Sequence, residues 1–179
     1  IFDYLNSNNI QYVVENPDKF FLIILESNDL KNYLFSKDNS FYKFLITNKN
    51  NYYREYFIIP NLDHNDRFLF NKNHFENNIF EQNELLNLKY KTKYQIMINS
   101  YKENNLIINN LYLYYNDKKY LIDKISSNNL NYQNFFDLVL SKSLNKWKQI
   151  NQIDPSIVNS LECSININNI HELKYVRNL

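Results

Sequence analysis

The 179-residue chain contains no glycine and no alanine, and it has only three prolines. Loops that cradle phosphates need glycine, because only glycine lets the backbone come close to the ligand in strained conformations. The absence of glycine excludes the standard forms of the Rossmann fingerprint, the Walker A loop, the nucleophile elbow and the kinase glycine-rich loop. We therefore expect a packing or binding protein and no enzyme.

Disulfides and long apolar runs are also missing. Cys163 is the only cysteine, so no disulfide can form within the chain, which favours a reducing compartment. The longest uninterrupted apolar run, residues 20–25, is far shorter than the roughly 20 residues of a spanning helix. No signal peptide or basic presequence is evident at the N-terminus. We expect an intracellular or organellar protein without a membrane span.

The charge is nearly balanced, with 20 Lys+Arg against 19 Asp+Glu and a formal net charge of +1. Proteins that bind nucleic acid on their own usually carry a large basic excess. The total charge gives no support to that function. Only a local cluster of basic residues could contact nucleic acid.

The residues that are abundant are Asn, Ile, Lys, Leu, Tyr and Phe. Most of these have codons made of A and T, whereas Gly, Ala and Pro need G and C. Isoleucine is common and Met97 is the only methionine, which indicates that ATA is read as isoleucine. The composition resembles that of proteins encoded in protist organelles, with AT-rich protist nuclear genes and insect poxviruses as other sources. The initial Ile1 suits either a non-ATG start or a trimmed fragment.

Hydrophobic periodicity predicts one α+β domain over residues 1–179, with an antiparallel, hairpin-rich sheet. Three strands are expected at 89–100, 105–115 and 119–125. A long amphipathic helix over about 132–150, capped by Asn131, should pack on the sheet.

The remaining segments carry weaker signals. Residues 41–47 and 52–59 predict a hairpin that Pro60 ends, and residues 19–25 could be either helix or strand. Residues 61–87 predict an irregular polar excursion with a short helix near its end. Further expected elements are a strand at 10–16, a helix at 28–37, a short helix from Asp154–Pro155 and a strand at 163–168.

A lysine at every second position in NLKYKTKYQIMIN predicts a basic ladder of Lys89, Lys91 and Lys93 on one strand face. Such side chains are about 7 Å apart, near the phosphate spacing of a nucleic-acid strand. Lysines of the following turn and of the long helix could widen the surface. The complete set of RNA-contact candidates is Lys89, Lys91, Lys93, Lys118, Lys119, Lys142, Lys146 and Lys148. The alternative is that the ladder lysines only keep an edge strand from pairing with other chains.

Two further groups of residues could in principle bind a metal or act as a nucleophile, but we expect both to have structural roles only. The metal-capable side chains between residues 63 and 76 match no known ligand spacing, and we predict no metal site and no cofactor. They are Asp63, His64, Asp66, His74 and Glu76. Cys163 and His171 could form a nucleophile pair, but a lone cysteine at a strand start is usually a buried apolar residue.

These features predict a non-catalytic structural subunit of a large organellar assembly. The hypothesis is a mitochondrial ribosomal protein in the organellar matrix, encoded by an extremely AT-rich protist genome. Its partners would be neighbouring protein subunits and rRNA, with no small-molecule substrate. The alternative is a protein-binding accessory subunit of a respiratory complex, or a parasite or viral interaction domain without RNA contact, in another reducing compartment.

Overall fold

The computed structural model describes residues 1–13, 17–28, 31–48, 52–77 and 79–153. Within these ranges it contains seven helices and six strands, and the predicted α+β class is confirmed. The elements in chain order are α1 (Phe2–Ser7), β1 (Phe20–Ser27), β2 (Asn32–Tyr33), α2 (Ser40–Thr47), α3 (Tyr52–Tyr56), β3 (Phe57–Ile58), α4 (His64–Leu69), α5 (Lys72–Asn77), α6 (Phe80–Tyr90), β4 (Gln95–Glu103), β5 (Leu106–Tyr115), β6 (Lys118–Ser127) and α7 (Tyr132–Asn151).

Residues 13–152 form one compact unit, which holds every element except α1. A second unit contains residues 1–12 and Ile153, where Tyr12 and Ile153 exchange backbone hydrogen bonds of 3.3 and 2.8 Å. This isolated bridge is the only pairing in the described part of the strand predicted at 10–16, since residues 14–16 lie outside the described residues. The predicted extent of the domain, 1–179, stays a prediction.

The sheet has the strand order β2-β1-β4-β5-β6, and β3 pairs with β1 beside β2. The predicted antiparallel character is confirmed for β4, β5 and β6, but β1 runs parallel to β4, with Phe21 opposite Gln95. The sheet is therefore mixed. A parallel pair requires a long crossover, and the helices between β1 and β4 carry the chain back to the starting end of the sheet.

Asparagine and aspartate take the place of glycine in the two hairpin turns. Asn104 and Asn105 connect β4 to β5 with φ of 48° and 65°, and Asn116 and Asp117 connect β5 to β6 with φ of 48° and 55°. Both loops have two residues with left-handed backbone, the pattern of a type I′ turn. Asn can form these turns without glycine, since Asn tolerates positive φ better than most side chains.

Helices cover both faces of the sheet. The Tyr94 hydroxyl donates to Asn151 of α7 at 3.1 Å, whereas the Gln95 side-chain amide bonds Asn83 and Asn87 of α6 at 2.7 and 2.8 Å. Consecutive residues of an extended chain point to opposite faces. Helix α7 therefore lies on one face and α6 on the other. The predicted long helix is confirmed, including its cap, because Asn131 Oδ1 accepts the Asn134 N–H at 3.1 Å.

The hairpin predicted at 41–47 and 52–59 is wrong. Residues 40–47 are helix α2, which begins because the Asn39 side chain accepts the N–H groups of Phe41 and Tyr42. Phe41 packs on Phe135 of α7, with ring centroids 5.4 Å apart. Short apolar runs suit both a strand and a buried helix, and in this segment packing against α7 decides the outcome.

The other predictions have mixed outcomes. Residues 20–27 are a strand, which settles the ambiguous segment 19–25. The helix predicted at 28–37 is wrong, since its described part contains the two-residue strand β2. The excursion at 61–87 holds the ordered helices α4 and α5 and most of α6, and the short helix near its end is confirmed. The elements predicted after residue 153 lie outside the described residues.

Candidate functional site

The lysine ladder does not form, because strand β4 begins only at Gln95. Lys89 lies in the last turn of α6, and Lys91 follows that helix with a left-handed φ of 52°. Lys93 lies in the connection to β4. The alternating spacing thus belongs to a helix end and the connection that follows it, and the three lysines do not lie on one face of a strand.

Lys89 belongs to a buried cluster around Asp66. The Lys89 Nζ lies 2.6 Å from Asp66 Oδ1, and the Tyr90 hydroxyl donates to the two carboxylate oxygens at 2.7 and 2.8 Å. The Leu62 N–H also donates to Asp66 at 3.1 Å, and Asp66 itself is fully buried. Burial, together with the neighbouring Asp66 carboxylate, raises the pKa of Tyr90. These contacts satisfy a charge inside the fold, so Lys89 is held within the protein.

Asp63 and His74, two of the metal-capable side chains, have local structural partners. Asp63 Oδ1 accepts the Asp66 N–H at 2.9 Å and caps α4, and this bond lowers the pKa of Asp63. His74 Nδ1 accepts the Asn71 N–H at 3.2 Å. Among the described residues no group of three or more His, Cys, Asp or Glu side chains could hold a metal ion. Cys163 and His171 lie outside those residues.

Three more of the candidate lysines contact the fold itself. Lys119 lies with its Nζ 4.5 Å from the Tyr112 ring centroid and 4.9 Å from that of Phe75, and burial lowers its pKa. Lys142 forms a 3.1 Å ion pair with Asp123. Lys146 lies 5.4 Å from the Tyr120 ring centroid. Through these contacts the three lysine side chains join β6 to neighbouring residues of the fold.

The other four candidates, Lys91, Lys93, Lys118 and Lys148, are exposed and form no ion pair with a described residue. Lys91 and Lys93 line a groove of about 390 Å³ together with Asp18 and Glu84, which balance their charge. Lys148 lies on α7, on the opposite side of the sheet from α6. RNA contact by these lysines stays a prediction, but the lysines of α6 and α7 do not share one basic surface.

A different set of cations meets at a cleft beside β3. Lys19, Lys37, Lys43 and Arg54 line a cavity of about 660 Å³. No described residue that lines it carries a carboxylate. All four cations are exposed. We call this cavity, with its four cations and the apolar residues beneath them, the basic cleft.

The floor of the basic cleft is apolar. It is formed by the C-terminal part of α2 and by the segment that contains β3 and its extension. Its apolar members are Ile46, Phe57, Ile58, Ile59, Pro60 and Leu62. The one aromatic ring among them, Phe57, is buried in the core. The surface that a bound molecule would contact is therefore aliphatic.

The rim of the basic cleft has one firm contact and one weak one. The Lys19 Nζ donates to the Arg54 carbonyl oxygen at 2.8 Å, joining the residue before β1 to α3. Lys43 lies 3.7 Å from Asp38, but the two side chains are 58% and 76% exposed. An exposed pair at this distance is weak and leaves the Lys43 charge available to a ligand.

The sequence offers little sign of the basic cleft, since its four cations lie singly at positions 19, 37, 43 and 54. They meet because β3 pairs in parallel with the start of β1, with Phe57 opposite Phe20, which places Arg54 beside Lys19. The helix that carries Lys43 was expected to be a strand. The one usable signal is Arg54 shortly before the apolar run that Pro60 ends.

A second exposed feature is apolar and lies on α4 and α6. Phe68 is 86% exposed and Leu88 is 74% exposed, and Leu85 is also exposed one turn before Lys89. A surface cavity of about 320 Å³ is lined by Phe68 of α4 and Lys89 of α6, so it lies between the two helices. We call Phe68, Leu85 and Leu88 the α4–α6 patch.

Comparison with known proteins finds no matching family model, no matching curated protein and no matching solved structure. In the described ranges, no helix combines the length and the apolar character that crossing a membrane requires.

Proposed function

We propose that the protein is a non-catalytic structural subunit of a large organellar assembly, and that this assembly is the mitochondrial ribosome of an organism with an extremely AT-rich organelle genome. The observation that carries the structural role is the α4–α6 patch. Phe68 and Leu88 are large apolar side chains that are mostly exposed, and they lie on the two helices that the Asp66–Lys89 pair joins. Exposed apolar side chains of this size are typical of surfaces that pack against a partner. The compositional resemblance supports the choice of assembly.

Protein neighbours are the main partners in this proposal. Four of the eight candidate lysines are engaged within the fold, namely Lys89, Lys119, Lys142 and Lys146. Contact with rRNA would use the exposed Lys91, Lys93, Lys118 and Lys148, and it would be peripheral. The same engagement of lysines favours the second candidate function, a protein-binding accessory subunit of a respiratory complex in which no RNA is contacted.

Sedimentation separates the two candidates. Organellar lysate is run on a sucrose gradient with and without RNase, and the chain is followed by mass spectrometry. The ribosomal proposal predicts migration with ribosomal particles that is lost after RNase treatment. Migration with a membrane complex supports the accessory subunit, and migration as a free monomer contradicts both.

The α4–α6 patch can be tested in the same gradient. We expect the variant Phe68→Ser with Leu88→Ser to leave the large particle, since it removes the two most exposed apolar side chains of the patch. The matched control is Leu121→Ser, which changes a leucine that is 60% exposed on β6, outside the patch. If the control variant dissociates as readily as the patch variant, the patch is not the docking surface.

A further inference from the structure

We propose that the basic cleft binds an acidic segment of a partner protein, in which aspartate or glutamate alternates with branched aliphatic residues. The inference goes beyond the structural role proposed above, because the cleft is a separate surface from the α4–α6 patch. The inference specifies the chemistry of the partner at the basic cleft, and it applies whether the assembly is a ribosome or a respiratory complex.

Charge complementarity carries the first step. Lys19, Lys37, Lys43 and Arg54 surround one cavity, and no carboxylate among the described lining residues opposes them. Among the described residues, the one ion pair that any of them forms is between Lys43 and the exposed Asp38, at 3.7 Å. Four like charges around one cleft repel each other, so an anionic ligand relieves this repulsion. Arg54 can also bind a carboxylate through two parallel hydrogen bonds.

The aliphatic floor decides between an acidic protein segment and RNA. Single-stranded RNA is held largely by stacking of its bases on aromatic rings, with cations along the backbone. The exposed part of the floor consists of side chains such as Ile46 and Ile59, and the Phe57 ring is buried. Valine, leucine or isoleucine side chains of a peptide fit this floor, whereas bases find no ring to stack on.

The sheet edge favours an extended conformation of the bound segment. In the middle of β1, the Tyr42 hydroxyl bonds the Ile24 N–H at 2.9 Å and the Leu22 carbonyl at 3.1 Å, which blocks that edge. Beside the cleft, β3 pairs with β1 on one side, and within the described ranges no strand pairs with its other side. A short extended peptide can add backbone hydrogen bonds at such an edge, and alternating side chains then meet the floor and the cations.

The test is a fluorescence anisotropy titration of a labelled peptide, Asp-Ile-Glu-Val-Asp-Ile, with the full chain. The comparison peptide has Asn and Gln in place of Asp and Glu. We expect saturable binding of the acidic peptide that weakens as salt is raised, and at least about tenfold weaker binding of the neutral one.

Matched variants locate the binding. Lys43→Glu with Arg54→Glu should weaken binding of the acidic peptide at least about tenfold, which is about 1.4 kcal/mol. Lys118→Glu with Lys148→Glu makes the same change in net charge away from the cleft and should leave the affinity within about twofold. Circular dichroism melting verifies that both variants are folded.

Three results would overturn the inference. One is equal affinity for the acidic and neutral peptides, and another is equal loss in the cleft and control variants. The third is displacement of the peptide by a single-stranded RNA oligonucleotide that binds more tightly, since the cleft would then be an RNA site. Failure of this titration leaves the gradient test of the α4–α6 patch intact, because the two experiments change different residues.

Discussion

Lys89 and Lys43 each lie near an aspartate, yet the two ion pairs have different roles. Lys89 reaches Asp66 at 2.6 Å, and the Asp66 side chain is completely buried. Lys43 lies 3.7 Å from Asp38, and both side chains are more than half exposed. The first pair is built into the interior together with Tyr90, while the second lies in water at the rim of the basic cleft.

This difference separates cations that stabilise the fold from cations that are free to bind. A buried carboxylate without its partner remains desolvated and unpaired, so Lys89 cannot leave Asp66 without a large cost. An exposed lysine exchanges an aspartate for water at little cost, so Lys43 can exchange it for a ligand. A lysine beside a buried aspartate is therefore held within the fold, whereas a lysine beside an exposed aspartate is available to a ligand.

The largest effect should come from Asp66→Asn. It leaves Lys89 without its main partner in a partly buried site, and we expect the free energy of unfolding to fall by about 3 kcal/mol. Urea denaturation measures this. The control is Asp63→Asn, which keeps a capping side chain at an exposed position and should lower the free energy of unfolding much less. Similar losses in the two variants would contradict the special role of the buried carboxylate.

Tyr90→Phe tests the same cluster through pH. At pH 7 the variant should be less stable by about 1 to 2 kcal/mol, because the hydroxyl bonds to Asp66 and to the Asn61 N–H are lost. The pKa of Tyr90 is raised in the folded protein above its ordinary value of 10.0, so above that pH the unfolded chain loses the proton first. Wild-type stability then declines with pH, and this contribution is absent from the variant.

We therefore expect the gap in stability between wild type and Tyr90→Phe to narrow above pH 10. Urea denaturation at a series of pH values between 7 and 11 measures it. Tyr120→Phe, at a half-exposed position of β6, is the comparison variant. A gap that stays constant with pH would contradict the interpretation that the buried hydroxyl remains protonated.

A smaller effect is expected at the exposed pair of Lys142 and Asp123. Lys142→Gln should lower the free energy of unfolding by at most about 1 kcal/mol. Lys142 lowers the pKa of Asp123, so the contribution is present above the ordinary value of 3.8 and is lost as pH falls below it. Thermal melting at pH 7 and at pH 3 measures the loss, and a difference that persists unchanged at pH 3 would contradict this origin.

The smallest effect on stability should come from Lys43→Gln, at the rim of the basic cleft. The free energy of unfolding should change by less than about 0.5 kcal/mol, because the pair with Asp38 is exposed. The same variant should bind the acidic peptide more weakly than wild type in the anisotropy titration. A large loss of stability would show that Lys43 belongs to the fold, as Lys89 does.

Local signals predicted the parts of the fold that local chemistry determines. The cap at Asn131 and the apolar stripe of residues 132–150 correctly predicted α7. The apolar periodicity of residues 105–115 and 119–125 correctly predicted β5 and β6, which are joined by a turn of Asn116 and Asp117. In these elements propensity, capping and burial all favour one structure.

Long-range pairing determines the parts that sequence reasoning missed. Residues 40–47 have the composition of a strand, but the Asn39 cap and packing on α7 make them a helix. The alternating lysines lie in the last turn of α6 and in the connection after it, so their spacing carried no information about a strand. The basic cleft depends on the parallel pairing of β3 with β1, which no local pattern encodes.

The most direct test of a subunit that docks through its own surfaces is zero-length cross-linking in intact particles from the gradient. A carbodiimide couples lysine amines to carboxylates that they touch, and mass spectrometry identifies the joined peptides. We predict links from Lys19, Lys37 or Lys43 to acidic residues of a neighbouring protein, and none from Lys89, whose partner is Asp66 of the same chain. Intact particles that contain the chain but show no link from the cleft lysines to any other protein would contradict the account.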